Sequence, residues 1–94
     1  MKSPVQTNIS KSVARAFAVL EQFRSHRQPM TAATLRQSLD IPQPSIRALL
    51  RNLVDLGYLR FDTEQKTYFP TMLLADLGDW IGDSVLAGID VSAL

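Results

Sequence analysis

Residues 30–59, MTAATLRQSLDIPQPSIRALLRNLVDLGYL, decide the fold: they read as a short helix, a tight corner, a longer helix and a glycine stop. Thr31 is a good N-cap ahead of Ala32, and Ala32, Leu35 and Leu39 fall on one side of a helix of about three turns. Asp40 and Ile41 make the corner, because Pro42 lacks an N–H and disfavours helical geometry in the residue before it. A new helix starts there. Pro42 and Pro44 both fit its first turn, where a missing N–H breaks no hydrogen bond, and Ile46, Leu49, Leu50 and Leu53 repeat at helical spacing as one buried stripe. Gly57 follows Leu56 and can take the left-handed conformation that ends helices, which lets Tyr58 begin an extended strand.

At about 100° per residue, the direction opposite that stripe is occupied by Pro44, Arg47, Ala48 and Arg51, with Gln43, Ser45 and Asn52 at its margins. These are base-reading residue types. Arginine donates two hydrogen bonds to guanine, glutamine pairs bidentately with adenine, and a small alanine lets a helix approach closely or touch a thymine methyl. A merely solvated helix face carries Arg, Gln and Ser as well, so this helix alone does not separate the two readings.

Working outward, the charge is uneven along the chain. The net charge of +1 conceals nine Lys or Arg against three acids in residues 1–60, and one Lys against six acids in residues 61–94. A basic half that carries a helix-turn-helix suits a phosphate-facing surface, while an acidic tail belongs on the far side. Chance segregation in a short chain is the plain alternative. The 94 residues make one domain with a single small core. There is no cysteine, hence no disulfide framework, and the single histidine, His26, lacks the companions of a metal cluster or hydrolytic triad and reads as a surface residue at a helix end. No metal site and no cofactor are expected. The N-terminus lacks a signal pattern and no apolar run reaches the roughly 18 residues of a membrane span, so a cytoplasmic location without membrane contact is expected.

Residues 1–9 have no periodicity and read as a loose arm. Ser10 caps a first helix in which Val13, Ala16, Phe17, Leu20 and Phe23 are expected to be core, with a dimer seam along part of that face as the alternative. This helix fades over residues 25–29. After Gly57 the period changes: residues 58–61 and 67–69 are β-prone runs rich in aromatics, separated by the polar residues 62–66, the signature of a hairpin. A hairpin directly after a recognition helix is a wing. Arg60 and Lys66 would offer positive charge to a phosphate, opposed by Asp62 and Glu64 at the tip, so the expected contribution is modest. From Thr71 a further helix follows, with Leu73, Leu74, Leu77, Trp80, Ile81 and Val85 on an apolar face and Asp76, Asp79 and Asp83 on a solvated one. Gly78, Gly82 and Gly88 weaken it, so it needs a partner: the first helix, or a second copy of the chain. The expected architecture is mainly α with a small β-hairpin wing: a winged helix-turn-helix of three core helices over residues 10–70, then a C-terminal helix, linker or dimerisation segment over residues 71–94.

Three strings carry a family resemblance: SKSVARAFAVLEQF, the stretch from Met30 to Asp62, and TYFPTMLLADLG. Over residues 10–78 the chain resembles the N-terminal winged helix-turn-helix domain of the IclR family of bacterial transcriptional regulators. The telling pieces are Val13, Arg15, Ala16 and Leu20, Pro42 with Leu49-Leu50, Leu56-Gly57-Tyr58, Tyr68, and Leu77-Gly78. The chain departs from the pattern at Ala48, where an arginine is usual, with Arg47 adjacent, and at Pro70-Thr71, where a leucine-glycine is usual. The resemblance implies a DNA-binding module that sits ahead of a larger effector-binding domain and works as a dimer or dimer of dimers. It implies Gln43, Pro44, Ser45 and Arg47 as the groove-facing start of the third helix, with Thr31 and the following N–H groups as a phosphate clamp.

The expected function is sequence-specific binding of double-stranded DNA by a homodimer. Arg47 and Gln43 would read base edges beside Ala48, Arg36, Arg51 and Arg60 would meet phosphates, and no small-molecule effector site is expected within these residues. The competing class is a winged-helix module that binds protein subunits and not DNA, which the modest net charge, acidic wing tip and apolar last helix favour. No enzyme is expected, since nothing sets a base beside a nucleophile or builds an oxyanion site.

Overall fold

The Ser10 hydroxyl accepts hydrogen bonds from the N–H groups of Ser12 and Val13 and so starts α1 (Lys11–His26), which Arg27 closes in the left-handed conformation at φ 54°. A computed structural model of the chain describes residues 8–86 and 88. Most of the expected arm, the tail beyond residue 88 and the side chains of Asp83 and Val85 lie outside the described residues. After α1 come β1 (Met30–Thr31), α2 (Ala32–Leu39), α3 (Gln43–Asp55), β2 (Leu59–Asp62), β3 (Thr67–Pro70) and α4 (Met72–Leu86). This is the winged helix-turn-helix, mainly helical, with one strand more than the sequence reading placed: β1 adds to the hairpin, giving an antiparallel sheet of order β1-β3-β2.

The corner between α2 and α3 forms as the sequence requires. Asp40 takes φ 53°, its N–H bonds to the carbonyl of Arg36, and Ile41 turns into the core at 4 % exposure. Pro42 occupies the cap of α3 itself, and Pro44 lies within the first turn. Ile46, Leu50 and Leu53 are buried with Leu49 packed at their edge, against Leu35 of α2, Met30 of β1 and Leu59 of β2. Burying side chains of this size stabilises a fold by about 1.5–3 kcal/mol each, so this contact fixes α3 relative to the rest.

Helix α1 corrects one expectation. Val19 and Phe23 enter the core with Leu20 packed beside them, whereas Val13 and Phe17 stay 53 % and 65 % exposed. The apolar arc of this helix is wide: at about 100° per residue, Val13 and Phe17 lie roughly 100–140° round from the line through Val19 and Phe23. Only one edge of the arc meets the core.

Gly57, at φ 94°, ends α3 and launches β2. The Thr71 hydroxyl donates to the Gly57 carbonyl at 2.6 Å and the Thr71 N–H donates to the Tyr58 carbonyl at 3.0 Å, which ties the start of α4 to the foot of the wing. Beyond that tie, Leu73, Leu77, Trp80 and Ile81 of the expected apolar face of α4 are exposed and Leu74 is half-buried.

Candidate nucleic-acid interface

Gln43, Arg47 and Arg51 stand four residues apart on the exposed side of α3, which places them in one row along the helix, successive members about 6 Å apart. The stripe on the other side, Ile46, Leu50 and Leu53, is clamped in the core, so the row cannot rotate away. It forms one wall of an open groove of about 870 Å³. The start of α2 supplies a second wall through Thr31, Ala32, Ala33 and Arg36, and the wing supplies a third through Phe61, Lys66 and Tyr68.

The electrostatics of this groove are one-sided. Arg36, Arg47, Arg51 and Lys66 line it and no carboxylate does. Among the described residues the ion pair is Arg24 with Glu21 at 2.7 Å, on the surface of α1, so no described carboxylate pairs with any of the four groove cations. Asp62, expected to oppose an anion at the wing tip, is engaged locally: its carboxylate accepts the N–H groups of Glu64 at 2.9 Å and Gln65 at 3.1 Å and shapes the turn. That turn ends with Lys66 at φ 59°, a left-handed position where most L-residues are uncommon.

Thr31 is half-buried at the head of α2. Its hydroxyl oxygen accepts the Thr34 N–H at 3.2 Å and its O–H donates to the Thr34 hydroxyl at 3.0 Å, so the side chain is committed to capping. The N–H groups of Ala32 and Ala33, in the first turn, have no intrahelical acceptor. An anion at this end of the groove would meet those backbone groups rather than the threonine hydroxyl.

Of the residues singled out in the sequence, Thr31, Arg36, Gln43, Arg47, Ala48, Arg51 and Lys66 are brought together around this one groove. Pro44 and Ser45 are not among its lining; Pro44 is exposed and Ser45 half-buried. Arg60 falls on the other face of the sheet. It pairs across the strands with Phe69, whose ring meets Phe23 of α1 edge-on at 6.3 Å, while Phe61 pairs with Tyr68 on the groove side. Arg60 lines a second cleft of about 240 Å³ with Pro29, Asp62, Thr67 and Phe69, which Phe61 borders as well as the groove. The sequence reading missed Phe61 and Tyr68 as groove residues. Period-two alternation from Leu59, which must face the core, puts Phe61 on the same side and Arg60 opposite.

Among the described residues no group of three or more His, Cys, Asp or Glu is placed to hold a metal ion, and no helix is long and apolar enough to cross a membrane.

Comparison with known proteins places this geometry. Residues 12–63 match the IclR helix-turn-helix domain, a span from the first turn of α1 into the wing. The Pca regulon regulatory protein of Pseudomonas putida is 31 % identical over 62 residues, which are 66 % of this chain and 21 % of that protein. Among solved structures, an IclR transcriptional regulator from Alicyclobacillus acidocaldarius superposes with a TM-score of 0.71 at 24 % identity, covering 76 % of this chain and 29 % of that one. An IclR family transcriptional regulator from Brucella abortus gives 0.70 at 25 % identity, covering 80 % and 28 %. The chain thus spans less than a third of the length of these relatives. With the domain match over more than half its residues and the same winged fold around the same corner, the chain belongs to the IclR helix-turn-helix family.

Proposed function

We propose that this chain is the sequence-specific double-stranded DNA-binding head of a bacterial transcriptional regulator, acting in the cytoplasm as a homodimer. The observation that carries the proposal is the row Gln43, Arg47 and Arg51, fixed by the core on one wall of a groove lined by four cations and no carboxylate. In this reading α3 enters the major groove, Gln43 and Arg47 meet base edges with Ala48 giving close approach, and Arg36, Arg51 and Lys66 hold phosphates together with the first N–H groups of α2. Two copies would read half-sites about one helical turn apart, or a multiple of that. A regulatory role is supported by the similarity to the Pca regulon regulatory protein and to the Brucella abortus transcriptional regulator.

The test is fluorescence anisotropy of the chain titrated into random-sequence duplex at several salt concentrations. Three cations in contact with phosphates, Arg36, Arg51 and Lys66, predict a log-log slope of about −2.7 for each copy bound. A second reading, a protein interaction module that does not bind DNA, is favoured by the exposed Leu73, Leu77, Val13 and Phe17. It predicts flat anisotropy at low salt from a protein whose circular dichroism shows it folded, and that outcome would replace the first reading.

A further inference from the structure

Phe61 is 39 % exposed, although it belongs to a strand whose preceding inward residue, Leu59, is buried to 2 %. Two residues farther along β2, roughly 7 Å, carry it past the edge of the core and into the groove. Its ring is held there: Tyr68 lies directly across the strands and meets it at 4.7 Å between centroids, tilted 45°, and Tyr68 itself packs on the core. The groove therefore presents a braced aromatic surface among Arg36, Arg47, Arg51 and Lys66. That combination matches a polymer whose surface alternates anionic oxygens with C–H groups, as a sugar-phosphate backbone does. The wing lies outside the helix that enters the major groove, so what reaches it is the backbone bordering that groove rather than base edges.

We infer that Phe61, braced by Tyr68, is the surface on which a deoxyribose of the bound duplex packs, giving the wing a contribution to affinity that depends on neither salt nor sequence. The inference rests on the DNA-binding reading above. Covering an aromatic ring releases water and no counterions, so it leaves the salt slope alone, unlike a cation that meets a phosphate.

The test measures isotherms of the whole chain on a random-sequence duplex at four salt concentrations for the wild type, Phe61→Ala, Phe61→Leu and Lys66→Ala. Phe61→Ala is expected to weaken binding about three- to tenfold at every salt concentration with an unchanged slope, Phe61→Leu to recover part of the loss, and Lys66→Ala to flatten the slope by about one. Replacing thymine by uracil throughout the duplex is expected to leave the ratio of wild-type to Phe61→Ala affinity unchanged. Wild-type affinity in Phe61→Ala, a changed slope in it, or a fall of that ratio on uracil substitution overturns the inference while leaving DNA binding standing. A loss in Phe61→Ala matched by a collapse of amide protection in the wing assigns Phe61 a purely structural role and overturns it too. Absence of salt-dependent binding by the wild type overturns the DNA-binding reading itself, and the two failures are distinguishable on that point.

Discussion

Arg47 and Arg51 share a helix face and a groove yet are assigned different work, and single substitutions separate them. On the proposed reading Arg47→Ala removes a bidentate donor to base edges, so discrimination between sites selected from a random library should fall by about 1–3 kcal/mol at the base pair it would read. Arg51→Ala should weaken all sequences alike and make the salt slope shallower by about one. Competition binding against single-base variants, run at two salt concentrations, checks both; an unchanged sequence ranking in Arg47→Ala would remove that arginine from base reading. Gly57 gives a test of the backbone. Its φ of 94° is a conformation an L side chain rarely adopts, and an added Cβ would stand 3.2 Å from Leu73 Cδ2. Leu73 is exposed and can give way, so the backbone term dominates, and Gly57→Ala should cost at least about 1 kcal/mol in urea unfolding. These positions were legible in the sequence because each depends on local rules: Pro42 forces the corner at Asp40, and Gly57 ends a helix. Phe17 was not legible, since a broad apolar arc does not say which of its edges meets the core.

At the scale of elements, the docking of α3 is where stability and function meet. Leu50 is fully buried among Val19, Leu35, Ile46 and Leu59, and Leu50→Ala should destabilise the domain by about 2–5 kcal/mol. Because the same contact fixes the row of Gln43, Arg47 and Arg51, the variant should also bind DNA more weakly under conditions in which circular dichroism still reports helix. Differential unfolding monitored beside anisotropy separates the two effects. The helices were readable from 3.6-residue periodicity because each is long enough to show it. Strand β1 spans only Met30 and Thr31, too short for any period, and it exists because Tyr68 and Thr67 of β3 offer it an edge. The site divided the same way. The α3 row follows from helix geometry, but that Phe61 and not Arg60 lines the groove follows from the wing's pairing, which depends on where the Asp62 turn falls.

At the scale of the whole molecule, two exposed apolar faces stand apart from the groove. One is Val13 and Phe17 on α1; the other is Leu73, Leu77 and Ile81 on α4, four residues apart and on one stripe. For the proposed homodimer, the α4 face of one copy would pack on the α1 face of a second, apolar against apolar, and a two-fold arrangement would use the pair twice. The proposed dimer therefore keeps its seam clear of the DNA groove, which lets the two properties be broken separately. Leu77→Glu should convert the proposed dimer to a monomer in sedimentation equilibrium at micromolar concentration, since it sets a carboxylate into the middle of an apolar seam. Helix content should change little, because Leu77 is 59 % exposed in the single chain and makes no part of its core. On a short duplex with one half-site the monomeric variant should keep the wild-type salt slope, and on a duplex with two half-sites the gain in affinity from the second should vanish. A wild-type chain that sediments as a monomer up to 100 times the protein concentration of the binding assay, roughly 100 μM, would sink the dimer and leave the groove's assignment intact.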